Sequence, residues 1–443
     1  MSSTTIFAPA TPAGRSGVAV IRISGPEAGS ALQAVTGRTL PHPRVATLAK
    51  LINPRLRDEI LDDGLVLWFP GPASFTGEDV AELQVHGGPA VIAAITEALL
   101  SLGLKPAEPG AFTRRAFDHG KLDLTEVEGL ADLIAAETEA QRRQALRQLE
   151  GALGVRIETW GGALLGALAH IEAAIDFPEE DLPSGLVESV DEALRGVAAE
   201  IGAALDDERQ GERLREGLSV VILGAPNAGK SSLMNALARR DVAIVSEEAG
   251  TTRDVIELHL DLGGYPVLLA DTAGLRETAN AVESEGVRRA LDRAARADLK
   301  LIVIDGAVWP VIPKEIRGQI DAAAVLVLNK ADLLPAPLQA LSGHQLIAVS
   351  ALTGAGIGDL LKALGERAGA LLATGDQPAL TRARHRDALR ECRDLLGRGL
   401  AVATVELKAE ELRLAVRALG RITGRVDVED LLDLIFGEFC IGK

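Results

Sequence analysis

The stretch LSVVILGAPNAGKSS, residues 218–232, predicts a buried strand, a glycine-rich turn and the start of a helix. The turn has the GxxxxGKS pattern of a phosphate-binding loop. Gly224 and Gly229 allow the backbone N–H groups to face phosphate oxygens. Lys230 can place its ammonium group on the β and γ oxygens, and Ser231 offers a hydroxyl to Mg²⁺. The pattern indicates a nucleoside triphosphate and leaves the base open.

Two further motifs belong to the triphosphate end of such a site. Asp271-Thr272-Ala273-Gly274 follows the apolar strand PVLLA, where a carboxylate can hold a Mg²⁺-bound water and Gly274 can approach the γ-phosphate. Gly250-Thr251-Thr252-Arg253-Asp254 precedes it in a loop, where a threonine hydroxyl can close over Mg²⁺ when the γ-phosphate is present. The order and the spacing of these motifs predict a hydrolysis switch.

The last two motifs select the base. Asn329-Lys330-Ala331-Asp332 ends the strand AAVLVLN, and Asp332 can accept hydrogen bonds from the ring N–H and the exocyclic amine of guanine. Adenine offers neither donor, so an unpaired carboxylate disfavours it. Ser350-Ala351-Leu352 closes the strand LIAVS and is expected under the base. Because each motif ends an apolar strand, where open α/β sheets bind ligands, together they predict a GTPase.

One position departs from the Ras pattern. In Ras-like proteins a glutamine after the DxxG glycine orients the attacking water, but here that position is Leu275, which cannot donate a hydrogen bond from its side chain. Three nearby carboxylates, those of Glu277, Glu283 and Glu285, are candidates for this role. Their chemistry alone does not choose among them.

Length and composition bound the protein class. The 443 residues predict about three domains. No span reaches the roughly 20 apolar residues needed to cross a bilayer, and the N-terminus MSSTTIFAPATPAGR lacks a secretory pattern, so we expect a cytoplasmic protein. The two cysteines, Cys392 and Cys440, have no metal-type spacing.

The charge distribution argues against a generally basic RNA-binding face. Residues 1–118 carry 10 Lys and Arg residues against 11 Asp and Glu residues, so nearly all of the net charge of −17 lies in the rest of the chain. Action on RNA would therefore need a local basic patch or a basic partner.

The predicted architecture is multidomain α/β. Residues 1–118 mix strand-like runs with one helix under Gly and Pro punctuation, which predicts an α+β domain. Long helical periodicity fills residues 119–214 and returns in residues 376–443. A Ras-like GTPase domain, residues 215–375, is therefore expected as an insertion in an all-helical domain.

Segments outside the GTPase motifs resemble one family. Four segments are similar to the tRNA modification GTPases of the MnmE family, also called TrmE. They are ATPAGRSGVAVIRISGP near the N-terminus, FPGPASFTGEDVAELQVHGG, KLDLTEVEGLADLI and the terminal FCIGK. The resemblance covers essentially the whole chain. Many families share the GTPase motifs, whereas the N-terminal segments and the tail are specific to this family.

The resemblance implies a defined activity. Members work with the FAD-binding partner MnmG, as a heterotetramer, to add an aminomethyl or carboxymethylaminomethyl group to the wobble uridine of certain tRNAs. The one-carbon unit comes from 5-formyl- or methylene-tetrahydrofolate, and GTP hydrolysis drives or gates the chemistry. The N-terminal domain resembles folate-dependent aminomethyltransferases and forms a homodimer. By motif match, folate contacts fall on Arg22, Glu82, Lys121 and Lys443.

The resemblance also implies K⁺ activation. GTPase domains of the family dimerise across their nucleotide faces with K⁺ in place of an arginine finger, and the matching ligands are Asn227, Ser246, Glu248 and Thr251. Ser246 and Glu248 differ in type from the commonest residues there, so K⁺ affinity depends on whether backbone carbonyls serve as ligands. Glu283 matches the glutamate that orients the attacking water through a second water.

The predicted site combines the motifs with the resemblance. Lys230, Thr252 and Glu283 are expected to be catalytic, and Ser231 and Thr252 to ligate Mg²⁺. The residues expected at GTP are Asn227, Ala228, Gly229, Lys230, Ser231, Ser232, Ser246, Glu247, Glu248, Ala249, Gly250, Thr251, Thr252, Asp271, Thr272, Ala273, Gly274, Asn329, Lys330, Asp332, Ser350, Ala351 and Leu352.

Two other function classes share the same GTPase core. A ribosome-assembly GTPase would typically carry an RNA-binding appendage, such as a KH domain with its GXXG loop and basic flank, and the sequence shows neither. A regulatory switch would use its N-terminal domain only to dimerise. Folate binding separates that switch from the enzyme.

Overall fold

The computed structural model describes residues 4–176, 186–207, 209–244, 257–271, 295–334, 346–373 and 378–426, together with residues 432, 435–437, 439 and 442. The chain divides into two compact units. The first comprises Met1–Ala131, Gln148–Gly162 and Val416–Lys443, and the second comprises Asp132–Arg147 and Ala163–Ala415.

The first unit contains a six-stranded sheet in the order β3, β4, β5, β2, β1, β6. Its strands are β1 (Ile6–Pro9), β2 (Ser16–Ser24), β3 (Thr47–Ile52), β4 (Ile60–Phe69), β5 (Val80–Gly87) and β6 (Lys105–Pro106). Neighbouring strands are antiparallel, except that β6 runs parallel to β1. The strands predicted from GVAVIRISG, GLVLWF and VAELQVHGG are confirmed as β2, β4 and β5.

One face of this sheet is the core of the first unit. Helices α1 (Ala28–Thr36) and α2 (Pro89–Ser101) pack on it, and Ile21 and Ile23 of β2 are fully buried there. Because side chains alternate between the two faces of a strand, Arg22 points to the other face. The alternation therefore places a charged side chain on the face opposite α1 and α2, where Phe112 lies against it.

The second unit contains a seven-stranded sheet in the order β13, β12, β11, β7, β10, β9, β8. Its strands are β7 (Leu218–Gly224), β8 (Ala243–Ile244), β9 (Glu257–Leu262), β10 (Tyr265–Asp271), β11 (Leu299–Asp305), β12 (Ala324–Asn329) and β13 (Leu346–Ala348). The strands predicted before the phosphate loop, the DTAG motif, the NKAD motif and the SAL motif are confirmed. The sequence prediction did not include β11.

Both faces of the second sheet are buried. Val220 and Ile222 of β7 belong to one apolar cluster, whereas Val221 belongs to the cluster on the opposite face. Parallel strands covered on both faces read as continuous apolar runs, which explains why LSVVILG does not alternate. The two sheets and their helices form a multidomain α/β protein.

The predicted helical periodicity is confirmed, but the first long run divides into several helices. The remaining helices are α3 (Ala111–Asp118), α4 (Leu124–Ala135), α5 (Glu139–Leu149), α6 (Ala152–Asp176), α7 (Leu186–Leu205), α8 (Gln210–Glu216), α9 (Lys230–Ala238), α10 (Lys314–Arg317), α11 (Ile357–Leu372), α12 (Ala383–Ala401) and α13 (Val405–Thr423). Among the described helices, none is long and apolar enough to cross a bilayer. The four-domain division and the insertion remain predictions.

A capping box explains why α5 begins as a separate helix after α4. The Gln141 Oε1 atom accepts the backbone N–H of Thr138 at 3.1 Å, and the Gln141 N–H reaches back to the Thr138 hydroxyl at 3.5 Å. The carbonyl of Gly264, in the turn between β9 and β10, accepts the N–H of Ala140 at 3.0 Å. His259 of β9 also lies 2.9 Å from a carboxylate oxygen of Glu137. The start of α5 is therefore bonded to this hairpin.

A buried ion pair fixes the helix that leads into β7. Glu212 of α8 and Arg386 of α12 are each 3% exposed, and the Arg386 Nε atom donates to Glu212 Oε1 at 2.8 Å. A second nitrogen of Arg386 donates to the Leu205 carbonyl at 3.0 Å. Arg209 also pairs with Glu212, and Asp207 also pairs with Arg386, so a network of four charged groups connects α8 to α12.

We expect Cys392 to be chemically inert in the folded protein. Burial, assisted by the nearby charge of Glu391, raises the pKa of this thiol to about 12. At pH 8 the thiolate fraction is then on the order of 10⁻⁴. In a Cys440→Ser variant, a thiol reagent should label the native protein negligibly at pH 8 and faster as the pH rises. Guanidinium should restore ordinary labelling, and rapid native labelling would contradict the buried placement.

Candidate functional site

The carboxyl ends of five strands meet at one edge of the second sheet. Strands β7, β10, β11, β12 and β13 run parallel to one another. The order reverses at β7, since β10 lies on one side of it and β11 on the other. Such a switch point is where open α/β sheets bind ligands. The loop that follows Gly224 lies at this point.

The backbone of this loop is shaped for an anion. Asn227 and Gly229 have positive φ angles of 64° and 89°, and α9 begins directly afterwards at Lys230. A Cβ atom on Gly229 would lie 2.2 Å from the Asn329 Nδ2 atom, so only glycine fits. The N–H groups of the first helical turn and the positive end of the helix dipole therefore face the loop.

The Lys230 ammonium group lies on the loop itself. Its Nζ atom donates to the carbonyls of Gly224 and Ala225 at 3.0 and 3.1 Å. Phosphate oxygens are charged acceptors and make stronger hydrogen bonds than neutral carbonyls. The ammonium group is therefore placed where it can exchange these carbonyls for phosphate. Ser231 and Ser232 are exposed on the same turn of α9.

Asn329 ties the phosphate loop to the SAL loop. Its side chain is 1% exposed, and its Nδ2 atom donates to the Ala228 carbonyl at 2.9 Å. Its Oδ1 atom accepts the backbone N–H of Ala351 at 3.1 Å. One buried amide thus satisfies polar groups of two loops, which a hydrophobic residue would leave unpaired.

The predicted base-binding side chains face outward at the same edge. Asp332 is exposed in a short turn, Ala331–Leu333, and Leu352 is 88% exposed. Ser350 is 1% exposed, and its hydroxyl accepts the N–H of Thr353 at 3.2 Å. A carboxylate and an apolar side chain are therefore available to a ligand, while Ser350 shapes the loop between strand and helix.

Asp305 is a residue of this edge that the sequence reasoning missed. It ends β11, and its Oδ2 atom accepts the Lys330 ammonium group at 2.6 Å. Partial burial raises the pKa of Asp305, but the hydrogen bonds from Lys330 and from Ala307 N–H outweigh it and hold the pKa below its usual range. The available signal was an Asp-Gly pair at the end of the apolar run LKLIVID.

Part of the predicted nucleotide site lies outside the described residues. Asp271 is placed by its backbone only, at the end of β10 and opposite Ile222 of β7. The predicted site residues outside the described part are Ser246, Glu247, Glu248, Ala249, Gly250, Thr251, Thr252, Thr272, Ala273, Gly274, Glu283 and Lys443. The candidates Glu277 and Glu285 lie outside it as well.

The described oxygen donors suit hard cations. Ser231 offers a hydroxyl beside the phosphate loop, and Asn227 is exposed within the loop. Hydroxyl and amide oxygens are donors that Mg²⁺ and other hard cations accept. Within the described part of the chain, no group of three or more His, Cys, Asp and Glu side chains could hold a metal ion. These cation sites would therefore depend on the nucleotide or on the remaining loops.

A second cluster lies on the face of the N-terminal sheet opposite α1 and α2. Arg22 and Glu82 are cross-strand partners on β2 and β5, and the Arg22 Nε atom lies 3.0 Å from Glu82 Oε1. The guanidinium of Arg22 lies 5.6 Å from the ring centroid of Phe75 and 5.7 Å from that of Phe112. It also donates to the Gly442 carbonyl at 3.4 Å.

The loop between β4 and β5 brings Lys121 to the same region. Phe75 of this loop lies against Arg22, and a Cβ atom on Gly77 would lie 3.4 Å from the Lys121 Cε atom. The structure thus brings together Arg22, Glu82 and Gly442, which precedes Lys443. Lys121 lies beside the loop that carries Phe75 and Gly77. This group combines one carboxylate with cations, as a ligand with both N–H donors and carboxylates requires.

Comparisons with known proteins find relatives over the whole chain. The family model described as the MnmE helical domain matches residues 124–440, and the model of the GTP-binding protein TrmE N-terminus matches residues 5–121. A tRNA modification GTPase MnmE from Paramagnetospirillum magneticum is 56% identical over 445 residues, which cover 100% of both chains. The human protein 5-taurinomethyluridine-[tRNA] synthase subunit GTPB3, mitochondrial, is 51% identical over 100% of this chain and 94% of its own.

Among solved structures, the G domain of the T. maritima FeoB iron transporter aligns with 35% of this chain and 99% of its own length. The identity is 24% and the TM-score is 0.25.

We expect Asn329→Ala to destabilise the second unit and to weaken GDP binding. The substitution leaves the Ala228 carbonyl and the Ala351 N–H without their buried partner, which should lower the free energy of unfolding by about 2 kcal/mol. Urea unfolding and GDP titration measure the two effects. Asn235→Ala, at an exposed position of α9, is the matched control and should change the unfolding free energy by about 0.5 kcal/mol at most. Equal behaviour of the two variants would contradict the bridging role.

Proposed function

The chain belongs to the MnmE family of tRNA modification GTPases, and we propose that it is a K⁺-activated GTP hydrolase that modifies the wobble uridine of certain tRNAs together with an MnmG-type FAD-binding partner. As a family member it is an enzyme, a GTPase of tRNA modification. The observation that carries the proposal is the edge of the second sheet, where a phosphate loop, Asn329 and Asp332 meet.

In the proposed hydrolysis, the chain's own residues bind and orient the nucleotide. Lys230 leaves the carbonyls of its loop for the β and γ oxygens, and Ser231 supplies a hydroxyl to Mg²⁺ together with Thr252. Asp332 accepts the two guanine donors. Glu283 takes the role that Leu275 cannot perform and orients the attacking water. The fixed loop backbone lowers the cost of reorganisation as charge develops on the phosphate.

K⁺ is proposed to supply the positive charge that an arginine finger supplies elsewhere. Asn227 would be one ligand, with Ser246, Glu248 and Thr251 as the others. The exposure of Asn227 supports this role, because its side chain is accessible to a cation from the phosphate loop, where its φ angle is positive. A second GTPase domain would then close over the nucleotide face and exclude water from the cation.

The N-terminal region is proposed to bind 5-formyl- or methylene-tetrahydrofolate. Glu82 would pair with the N–H edge of the pterin, and Arg22, Lys121 and Lys443 would meet its carboxylates. The pairing of Arg22 with Glu82, whose side chains are each 18% exposed, supports this assignment. The proposed domains are an N-terminal domain of residues 1–118, a helical domain of residues 119–214 and 376–443, and a GTPase domain of residues 215–375 inserted in it.

The same sheet face supports the proposed homodimer. Leu48 and Leu65 are cross-strand partners on β3 and β4, and they are 66% and 39% exposed. Both lie on the face opposite α1 and α2, as Arg22 and Glu82 do. Exposed apolar side chains that cluster on one face are typical of protein interfaces, so a second N-terminal domain would cover them.

The tRNA and the FAD-binding protein complete the proposed assembly. The net charge of −17 disfavours independent RNA binding, so a partner with its own basic surface would provide much of the tRNA contact. The human relative is named as a subunit of a tRNA-modifying synthase, which supports an enzyme made of more than one protein. We propose a cytoplasmic heterotetramer with MnmG-type subunits.

We expect GTP turnover to be about tenfold or more faster in KCl than in NaCl at equal ionic strength, because a bound K⁺ adds positive charge beside the transferring phosphoryl group. Release of inorganic phosphate measures the rate in each salt. Equal rates in the two salts would refute K⁺ activation.

Glu283→Ala serves as the control for this measurement. It should retain GTP binding and lose turnover about 100-fold in both salts, because only the orientation of the water is removed. Unchanged turnover would assign that role to Glu277 or Glu285.

We expect the protein to bind 5-formyl-tetrahydrofolate, and Glu82→Gln to weaken that binding about tenfold, because it removes a charge-assisted hydrogen bond. Titration calorimetry measures both affinities. Asp62→Asn is the matched control, since Asp62 pairs with His86 at 2.8 Å across β4 and β5 of the same sheet, outside the Arg22 cluster. Wild-type protein that binds no folate would favour the regulatory switch.

A further inference from the structure

We propose that Asp305 is a positioning residue for the purine base: its carboxylate anchors the Lys330 ammonium group and so holds the lysine's methylene stem against one face of the ring. This inference rests on the proposed function, because it requires a guanine nucleotide at the edge of the second sheet. It adds a residue outside the sequence motifs of that site.

Both oxygens of the Asp305 carboxylate are engaged by different loops. The Oδ2 atom accepts the Lys330 ammonium group at 2.6 Å, and the Oδ1 atom accepts the N–H of Ala307 at 2.9 Å. Two donors in different directions restrict the rotation of the carboxylate. The side chains of Lys330 and Asp305 are 34% and 19% exposed, so the pair is screened by solvent less than a fully exposed one.

The backbone around the pair is close-packed. A Cβ atom on Gly306 would lie 2.7 Å from the Asn329 carbonyl oxygen and 3.1 Å from that of Lys330. Lys330 itself has a φ angle of 61°, which is a backbone conformation that residues other than glycine seldom adopt. Such a conformation persists where the surroundings fix it. The turn after Asp305 therefore contacts the NKAD backbone directly and sets where the lysine stem starts.

The direction of the ammonium group decides what the stem can do. With Nζ drawn back to Asp305, the part of Lys330 left for a ligand is its four-carbon stem, which can cover apolar surface while the charge stays solvated or paired. A purine ring presents two flat, weakly polar faces. Leu352, 88% exposed in the SAL loop, offers a second apolar surface at the same edge. Without Asp305, the ammonium group would be free to move away and withdraw the stem.

The test compares two aspartates with matching contacts. Asp305→Asn removes the charge that anchors Lys330 but keeps an acceptor for the Ala307 N–H. Asp321 accepts the Lys300 ammonium group at 2.7 Å and the Ala323 N–H at 3.0 Å. It precedes β12 and so lies at the opposite, amino-terminal edge of the same sheet. Asp321→Asn therefore reproduces any purely structural cost of losing such a pair.

We expect the dissociation constant for a fluorescent GDP analogue to rise about fivefold in Asp305→Asn and to stay at the wild-type value in Asp321→Asn. Tripolyphosphate, which has no base, should bind to wild type and Asp305→Asn with affinities equal within about twofold. In a Lys330→Met background, Asp305→Asn should have no further effect on GDP, because the anchored charge is already gone.

Each contrary result has a defined meaning. Wild-type GDP affinity in Asp305→Asn would overturn the inference, and so would an equal loss in Asp321→Asn. A loss for tripolyphosphate as large as that for GDP would assign Asp305 to the phosphate end instead and would also overturn it. Wild-type protein without affinity for GDP would refute the proposed GTP site itself, which distinguishes that failure from failure of the inference.

Discussion

The buried side chain of Asn329 is the interaction on which the nucleotide edge depends. The phosphate loop and the SAL loop belong to strands that are not neighbours in the sheet, and each loop has backbone polar groups that need partners. Asn329 supplies a donor to one and an acceptor to the other. Because an unpaired buried polar group costs more than a typical hydrogen bond gains, the two loops keep one relative position. The same requirement explains Gly229, whose missing side chain leaves room for that amide.

Much of this edge could be predicted because it is encoded locally. A continuous apolar run followed by GAPNAGKS specifies a doubly buried strand, a tight turn and a helix start within 15 residues. Pairs that form only through tertiary packing gave no such signal. Asp305 and Lys330 lie 25 positions apart, and Glu212 and Arg386 lie 174 apart. The long helical run was predicted correctly in type, but its division at Thr138 depends on one capping box that periodicity does not reveal.

The Arg22 cluster was reached by a different route. Nothing in the residues alone separated Arg22 and Glu82 from surface charges, and only the family resemblance drew attention to them. The structure adds their register as direct partners on adjacent strands and two aromatic rings around the guanidinium. A cation held between rings and a carboxylate keeps its orientation without a bound ligand. The face is therefore preorganised, which reduces the entropy lost on binding.

The hairpin of β9 and β10 links the two halves of the hydrolysis switch in sequence. The threonine motif precedes β9 and the DTAG motif follows β10. The turn between the strands accepts the N–H of Ala140 in α5, and His259 of β9 contacts Glu137 just before this helix. β9 and β10 pair with each other along their length, while β10 also pairs with β7 and β9 also pairs with β8. The hairpin is therefore an interior part of the sheet, and it holds the cap of α5 at a set distance from the strand that carries the phosphate loop. In this arrangement the hairpin is a spacer, and α5 is the helix whose start it positions.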